Sequence, residues 1–264
     1  MILAIDMGNT NIVIGGIDEE RTYFEERINT VHSRTSTEYA LLIKDILELH
    51  GIEPSQIEGG ILSSVVPPLN APIQSAVKKV LGRRPMLVGS GMKTGLNIIM
   101  DNPKTVGSDQ IVDAVAAIQD YPCPIVIIDM GTATTMSVVD KKGNYIGGVI
   151  LPGLKVSLDS LSASAAQLPF ISLEIPGHVI GKNTIDCMRS GILYGNAAQM
   201  DGIIDRMEEE LGETPSIVAT GGLSRFVTPL CRHKIHYDEA LLLKGLLILY
   251  RKNTNEHEKR ISEH

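Results

Sequence analysis

The sequence predicts an α/β fold made of two related halves, and three observations carry that expectation. Short apolar runs at 2–5, 12–17, 61–66, 125–128, 136–139, 146–151 and 217–219 have the length and composition of strands. Segments with helical spacing and readable ends lie between them. The pattern "IDMGNT" beginning at Ile5 returns as "IDMGTATT" beginning at Ile128, each time between two apolar runs. A hairpin at the start of each half is incompatible with a purely parallel βαβ array.

From the N-terminus, the runs at 2–5 and 12–17 flank "DMGNT" as the arms of a hairpin. In "STEYALLIKDILELHG", 36–51, Ser36 or Thr37 caps a helix and Gly51 follows its end. The run at 61–66 is a strand, and 70–82 is a second helix marked by Asn70, Pro72 and Gly82. Asn102-Pro103 signals a turn, after which Gly107-Ser108-Asp109 opens a helix with Ile111, Val112, Val115 and Ile118 on its apolar face. The second hairpin and the strand at 146–151 follow. Ile185, Met188, Ile192, Met200, Ile203, Met207 and Leu211 then recur at three- and four-residue steps. They define a helix from about Thr184 to Leu211, well beyond the average of about 11–12 residues. Its apolar face reads as core, with a subunit contact along part of it as the sharper alternative. A last helix ends near Tyr250, and "RKNTNEHEKRISEH" is polar, unpatterned and read as solvated. The expected organisation is an N-terminal half over 1–108, a C-terminal half with the long helix over 109–255, and a polar tail over 256–264.

Composition narrows the function classes. Of 264 residues, 43% are hydrophobic and 21% charged, as in ordinary globular proteins. The formal charge of −7 and the lack of a basic patch argue against nucleic acid as a partner. Cys123, Cys187 and Cys231 are widely spaced and form no CxxC pair, which fits a reducing compartment rather than a disulfide framework or zinc cluster. No apolar run approaches the roughly 20 residues of a membrane span, and the chain enters a strand without a leader pattern. A cytoplasmic protein is expected. The seven histidines show no HxH or HExxH spacing, so each reads as a surface or loop residue.

The repeated turn is where the chemistry concentrates. Gly8 and Gly131 let the backbone approach a ligand and expose amide donors, and Asn9, Thr10, Thr132, Thr134 and Thr135 add side-chain donors. Such turns suit phosphate oxygens. Asp6 and Asp129 repel bare phosphate and make sense with a cation between, as Mg²⁺ is held by one or two carboxylates plus substrate phosphates. Two such loops imply a nucleoside triphosphate and a metal. One copy alone reads equally well as a hairpin turn with an Asx hydrogen bond. There is no GxxxxGK[ST] and no GxGxxG. A third carboxylate, Asp109, lies in the first turn of its helix, where the dipole favours its charged form. It either stabilises the helix or orients and accepts a substrate hydroxyl proton, as an aspartate does in other phosphoryl transfers.

Six motifs, "DMGNTN" (6–11), "DNPKTVGSD" (101–109), "DMGTATT" (129–135), "GGVILPGL" (147–154), "GKNT" (181–184) and "ATGG" (219–222), now stand in one order over nearly the whole chain. In that order the sequence resembles the type III pantothenate kinases, members of the acetate and sugar kinase, Hsp70 and actin superfamily. The resemblance implies duplicated ribonuclease H-like (actin-like) domains with mixed sheets flanked by helices. It implies ATP-dependent phosphorylation of the terminal hydroxyl of pantothenate, the first step towards coenzyme A. By position, Asp6, Gly8, Asn9, Thr10 and Asn11 would serve phosphate and Mg²⁺, and Asp109 would be the base. Asp129 with Gly131, Thr132 and Thr134 would hold phosphate and a monovalent cation, K⁺ or NH₄⁺, while Gly221 and Gly222 would lie near the adenosine. Met100, Gly107, Ser108, Asp109 and Gln110 would form the substrate site. The family is homodimeric, and Thr184 would reach the substrate from the partner subunit.

Three positions, Met100, Ser108 and Gln110, depart from the family pattern. The family usually reads GADR where this chain has Gly107-Ser108-Asp109-Gln110, and a tyrosine where Met100 stands. Gln110 brings neither charge nor bidentate fork to an acid substrate. One lost charge-assisted contact is worth about 1.5–3 kcal/mol, or about ten- to a hundredfold in affinity. Two further readings therefore stand beside the first: an enzyme of this fold acting on another small hydroxylated substrate, and a non-catalytic regulator. Retention of Asp6, Asp109 and Asp129 argues against the regulator.

Overall fold

The computed structural model describes the backbone of residues 1–165 and 167–262, and side chains no further than position 254. In chain order the elements are β1 (Ile2–Met7), β2 (Asn11–Ile17), β3 (Thr22–Asn29), α1 (Ser36–Leu49), β4 (Gly60–Ser64), α2 (Pro67–Leu81), β5 (Met86–Leu87) and β6 (Asn97–Ile98). They continue as α3 (Ser108–Asp120), β7 (Ile125–Met130), β8 (Ala133–Val139), β9 (Asn144–Pro152), α4 (Leu154–Ser164), α5 (Thr184–Leu211), β10 (Ser216–Thr220), α6 (Ser224–Val227), β11 (His236–Tyr237) and α7 (Leu241–Ser262). These gather into two compact units, both discontinuous in sequence. One takes Met1–Gly95, Lys104–Ala116 and the chain from Ala240 onward; the other takes Leu96–Pro103 and Ala117–Glu239.

Each unit is organised on a mixed sheet, and the sheets repeat one another. The first has the order β3-β2-β1-β4-β5, and the second β9-β8-β7-β10-β11 with β6 added beside β9. The match extends to single residues. Along β1 and β7 four buried residues are followed by a half-buried aspartate, Asp6 or Asp129, and a buried methionine. The strands β2 and β8 share one burial pattern throughout. The ladder to the third strand slips at Gly16/Ile17 in one unit and at Val138/Val139 in the other. The turn between the first two strands is one residue shorter in the second copy, Gly131-Thr132 against Gly8-Asn9-Thr10. The fold class expected from the sequence, duplicated α/β halves with mixed sheets flanked by helices, is the one found.

Burial explains the strand composition. Leu3, Ile5, Ile12, Ile14 and Leu62 of the first sheet pack with Tyr39, Ile43 and Leu47 of α1 and Ile73 and Val77 of α2. In the second unit Val126, Ile128, Met136 and Val138 meet Leu193, Ala197, Met200 and Ile204 of α5. The long helix has the bounds its periodicity indicates. Met188 and Met200 are buried and Ile192, Ile203, Met207 and Leu211 are partly buried against the core, while Ile185 is exposed. Helix α7 crosses β1, β2 and β4, burying Leu241, Leu243, Leu246 and Leu249. Each such side chain contributes about 1.5–3 kcal/mol relative to exposure. Gly245 admits this helix against α3, since a Cβ there would lie 2.7 Å from Val112 Cγ1.

Several local expectations are corrected. The cap of α1 is Thr35, not Ser36 or Thr37, because Thr35 Oγ1 accepts the Glu38 N–H while Glu38 reaches back to the Thr35 backbone. Helix α2 begins at Pro67, ahead of Asn70, because prolines fit a first turn that needs no amide donors. The charged β3 and the serine-rich α4 carry no clear apolar period and were not expected. The final helix does not end near Tyr250: it continues to Ser262, with Arg251 paired to Glu19 and Glu58, Lys252 to Thr94 O and Asn253 to Lys93. The tail expected over 256–264 lies outside the described side chains, and residues 263 and 264 lie outside the described backbone.

Candidate functional site

In the first unit β1 delivers Asp6 to the mouth of the hairpin. The turn after it is fastened from the end of β3: Thr30 Oγ1 donates to Gly8 O at 2.7 Å, and the Thr30 N–H to Thr10 O at 2.9 Å. The Gly8 N–H donates to Asn11 O at 3.0 Å, and Gly131 does the same to Ala133 O at 3.0 Å. The expectation that these glycine amides face a ligand is thus corrected: both close their own turns. What Gly8 supplies is room, since a Cβ on it would stand 3.1 Å from Asn11 O. The side chains of Asn9 and Thr10 are exposed beyond the turn and Asn11 is half-buried. A carboxylate with amide and hydroxyl oxygens nearby is a hard oxygen set, the type that Mg²⁺ takes alongside phosphates.

The same end of the sheet receives Asp109. Strand β4 runs parallel to β1, and Ser63 is the register partner of Asp6 while Ser64 is the partner of Met7. Ser108, the first residue of α3, binds both serines. Its Oγ lies 3.1 Å from Ser63 Oγ, accepts the Ser64 N–H at 3.0 Å and donates to Ser64 O at 2.9 Å. Asp109 follows directly. Burial pushes its carboxyl above the ordinary carboxylate value, against the opposing pull of the Gln110 N–H, which donates to Asp109 Oδ1 at 2.8 Å. Gln110 turns back on its own helix, Oε1 accepting the Gly107 N–H at 3.3 Å. Gly107 itself lies against Asp109 Oδ1 too closely for any Cβ. The structure therefore brings Asp6, the Gly8–Asn11 turn and Gly107–Gln110 to one sheet edge within one unit.

The second unit repeats the first half of this arrangement. Asp129 precedes the Gly131-Thr132 turn, and its register partner on β10 is Thr220, the counterpart of Ser63. Gly221 has φ +84° and sits against the Asp129 carboxylate, with Gly222 next in the chain. Gly153, which caps α4, presses on the turn; a Cβ there would lie 2.7 Å from Gly131 O. Thr132 is exposed, whereas Thr134 is 1% exposed with an Oγ1 that has no hydrogen-bond partner. Thr134 faces the core because it alternates with Thr135 along β8. Oxygen donors from Asp129 and the turn suit a hard cation.

The remaining expected residues lie elsewhere in this unit. Met100 places its sulfur toward Gly147 of β9. Thr184 opens α5 behind Asn183, whose side chain accepts the Asp186 N–H at 2.9 Å, and it lines a shallow apolar hollow with Leu161, Leu168 and Met188. A larger cavity of about 1000 Å³ follows α5 along Gly191, Gly195, Ala198 and Gly202 to Asp201 and His233. It contains none of the residues expected for nucleotide. Here Asp205, Glu208 and His233 come together, with His233 Nε2 2.8 Å from Asp205 Oδ1, a group that histidine spacing in sequence does not show. Ser63, Ser64, Thr30 and Gly153 are the site-building residues that the sequence reading missed. For the serines a signal existed, in the position of "LSS" and "VAT" at the ends of corresponding strands.

Comparison with known proteins agrees with this architecture. Residues 2–206 match the profile of a family described as type III pantothenate kinase. A type III pantothenate kinase from Exiguobacterium sp. (strain ATCC BAA-1283 / AT1b) is 46% identical over 253 residues, covering 96% of this chain and 99% of the relative. Among solved structures, a Baf family protein from Campylobacter jejuni is similar with a TM-score of 0.60 at 17% identity, over 96% of this chain and 100% of that one. Component A of (R)-2-hydroxyglutaryl-CoA dehydratase from Acidaminococcus fermentans gives 0.53 at 14% identity, over 94% and 96% of the two chains. At those identities the two structures speak to the fold alone.

Proposed function

The chain belongs to the type III pantothenate kinase family, and from that premise we propose how its residues carry out the reaction. It is a kinase that uses ATP to phosphorylate pantothenate at the start of coenzyme A biosynthesis. The observation that carries the residue assignment is the fastening of Asp109 through Ser108 to β4, beside the strand that bears Asp6.

In this reading Asp109 accepts the proton of the pantothenate hydroxyl as its oxygen attacks the γ-phosphorus and ADP departs. Partial burial suits that role, because a carboxyl held above its ordinary range is a better acceptor once ionised. Asp6, Asn9 and Thr10 are the donors for Mg²⁺ and phosphate, with Gly8 and Asn11 shaping the turn. Bound there, the ion offsets the charge between the carboxylate and the phosphates. Asp129 with Gly131 and Thr132 serves phosphate and a monovalent cation, K⁺ or NH₄⁺. Gly221 and Gly222 give the adenosine close access to backbone. Positioning and charge stabilisation carry such a transfer, so rigid turns matter more than strong bases.

Gly107 and Gln110 border the pantothenate in this reading, and Thr184 reaches it in a homodimer. The small residues Gly191, Gly195, Ala198 and Gly202 on one face of α5 support a second copy docking there, since they let backbones approach closely. No helix among the described residues is long and apolar enough to cross a membrane, which is consistent with a cytoplasmic location. The test is a coupled ADP-release assay with ATP, Mg²⁺, K⁺ and pantothenate, run alongside sedimentation of the enzyme. Pantothenate-dependent turnover by a dimer that falls when K⁺ and NH₄⁺ are omitted supports the reading. Turnover by a monomer, or indifference to the cation, removes the corresponding part.

A further inference from the structure

Ser108 and Gln110, on either side of Asp109, both spend polar atoms on the chain itself. Ser108 Oγ is occupied three times over: it lies 3.1 Å from Ser63 Oγ, accepts the Ser64 N–H at 3.0 Å and donates to Ser64 O at 2.9 Å. A hydroxyl offers one donor and two acceptor sites, so no capacity remains for a substrate. Gln110 Oε1 closes on the Gly107 N–H at 3.3 Å. Ser63 is fully buried, so its hydroxyl is a fixed anchor. It is also the register partner of Asp6, and register partners on neighbouring strands project to the same face of a sheet.

We propose that Ser108 is a positioning residue for Asp109: its hydroxyl locks the first turn of α3 to the end of β4 and so fixes the Asp109 carboxylate relative to Asp6. Ser108 then belongs to the support of the base and not to the substrate surface. The three contacts of the Ser108 hydroxyl form a link between the sheet edge and the helix. Fixing matters because the reacting groups must meet in a narrow geometry, and a misplacement near 1 Å costs about a hundredfold in rate. The inference rests on the reading of Asp109 as the base.

Ser108→Ala, Ser108→Thr and Ser63→Ala are measured beside Asp109→Asn, each well below its own melting temperature and per folded molecule. Ser108→Ala is expected to lower kcat about ten- to a hundredfold with KM for ATP unchanged. Ser63→Ala, which leaves the Ser64 contacts, falls less in the same direction, and Ser108→Thr, which keeps a hydroxyl, recovers most of the rate. A purely structural role predicts something else: a lower melting temperature with wild-type kcat in both alanine variants, and that result overturns the proposal. If Asp109→Asn keeps wild-type turnover, the base assignment itself fails, and the proposal falls with it. If Asp109→Asn is inactive while Ser108→Ala is unimpaired, only the positioning role is lost.

Discussion

Gly221 stands against the carboxylate of Asp129, so that a Cβ placed on it would lie 2.7 Å from Asp129 Oδ1 and 2.8 Å from Met130 O. Its φ of +84° lies in the left-handed region, which glycine adopts without penalty. Gly221→Ala therefore costs about 1–2 kcal/mol in the backbone alone and forces the Asp129 carboxylate to move. The expected outcome is a lower melting temperature and a raised KM for ATP. Unchanged values of both would show that the turn accommodates a side chain and that Asp129 is not held by it.

The partly buried Asp109 carboxylate is expected to cost stability at neutral pH. Burial raises its carboxyl above the ordinary 3.8, partly opposed by the Gln110 N–H. Between the unfolded and folded pKa values the folded chain binds more protons than the unfolded one, so stability falls as pH rises through that window. The contribution is fully present below the unfolded value and lost above the folded one. Asp109→Asn should therefore melt at a higher temperature than wild type near pH 7, with the gap closing as the pH approaches the ordinary carboxylate value. Thermal scans across that range check the sign, and a variant less stable at neutral pH contradicts it.

Arg251 ties α7 to the first sheet's surroundings. It donates to Glu19 and, at 2.6 Å, to Glu58, and those hydrogen bonds hold both carboxyls below their ordinary range. All three side chains retain solvent contact, so Arg251→Ala is expected to cost only about 1 kcal/mol. The loss should shrink in high salt. It should also vanish as pH falls through the lowered folded values of the two glutamates, where the wild type loses the same stabilisation. Denaturant titrations at low and high ionic strength measure it.

Gln110→Arg tests whether position 110 meets the acid substrate. A guanidinium adds a charged fork worth about 1.5–3 kcal/mol if it meets a carboxylate, so KM for pantothenate should fall about ten- to a hundredfold. Gln110 now binds the Gly107 N–H, and the substitution also gives up that contact. A KM unchanged or raised would show that position 110 does not face the substrate's carboxylate.

Repetition made the architecture legible. Asp6 and Asp129 are written in nearly the same words, and the structure gives them the same strand, the same burial pattern and the same kind of register partner. Period alone located α5, because most of its apolar positions face a continuous core. What escaped reading depends on distant neighbours. Thr30 fastens a turn that ends twenty residues earlier in the chain, and Ser63 reaches Ser108 across the intervening α2 and β5. Strand β3 is masked by charge because only Phe24 is buried along it. The run of the C-terminal helix past Tyr250 is not legible in the sequence, since Arg251 reads as solvated until Glu19 and Glu58 are brought beside it.

In the proposed reaction Asp109 takes the proton of the pantothenate hydroxyl. The rate of pantothenate-dependent ADP formation by Asp109→Asn at saturating ATP, Mg²⁺ and K⁺, with folding confirmed by its melting curve, decides the point. A fall in kcat of about a hundredfold or more is expected in a variant that still binds ATP and melts no lower than wild type. A kcat close to the wild-type value in that folded variant would contradict it.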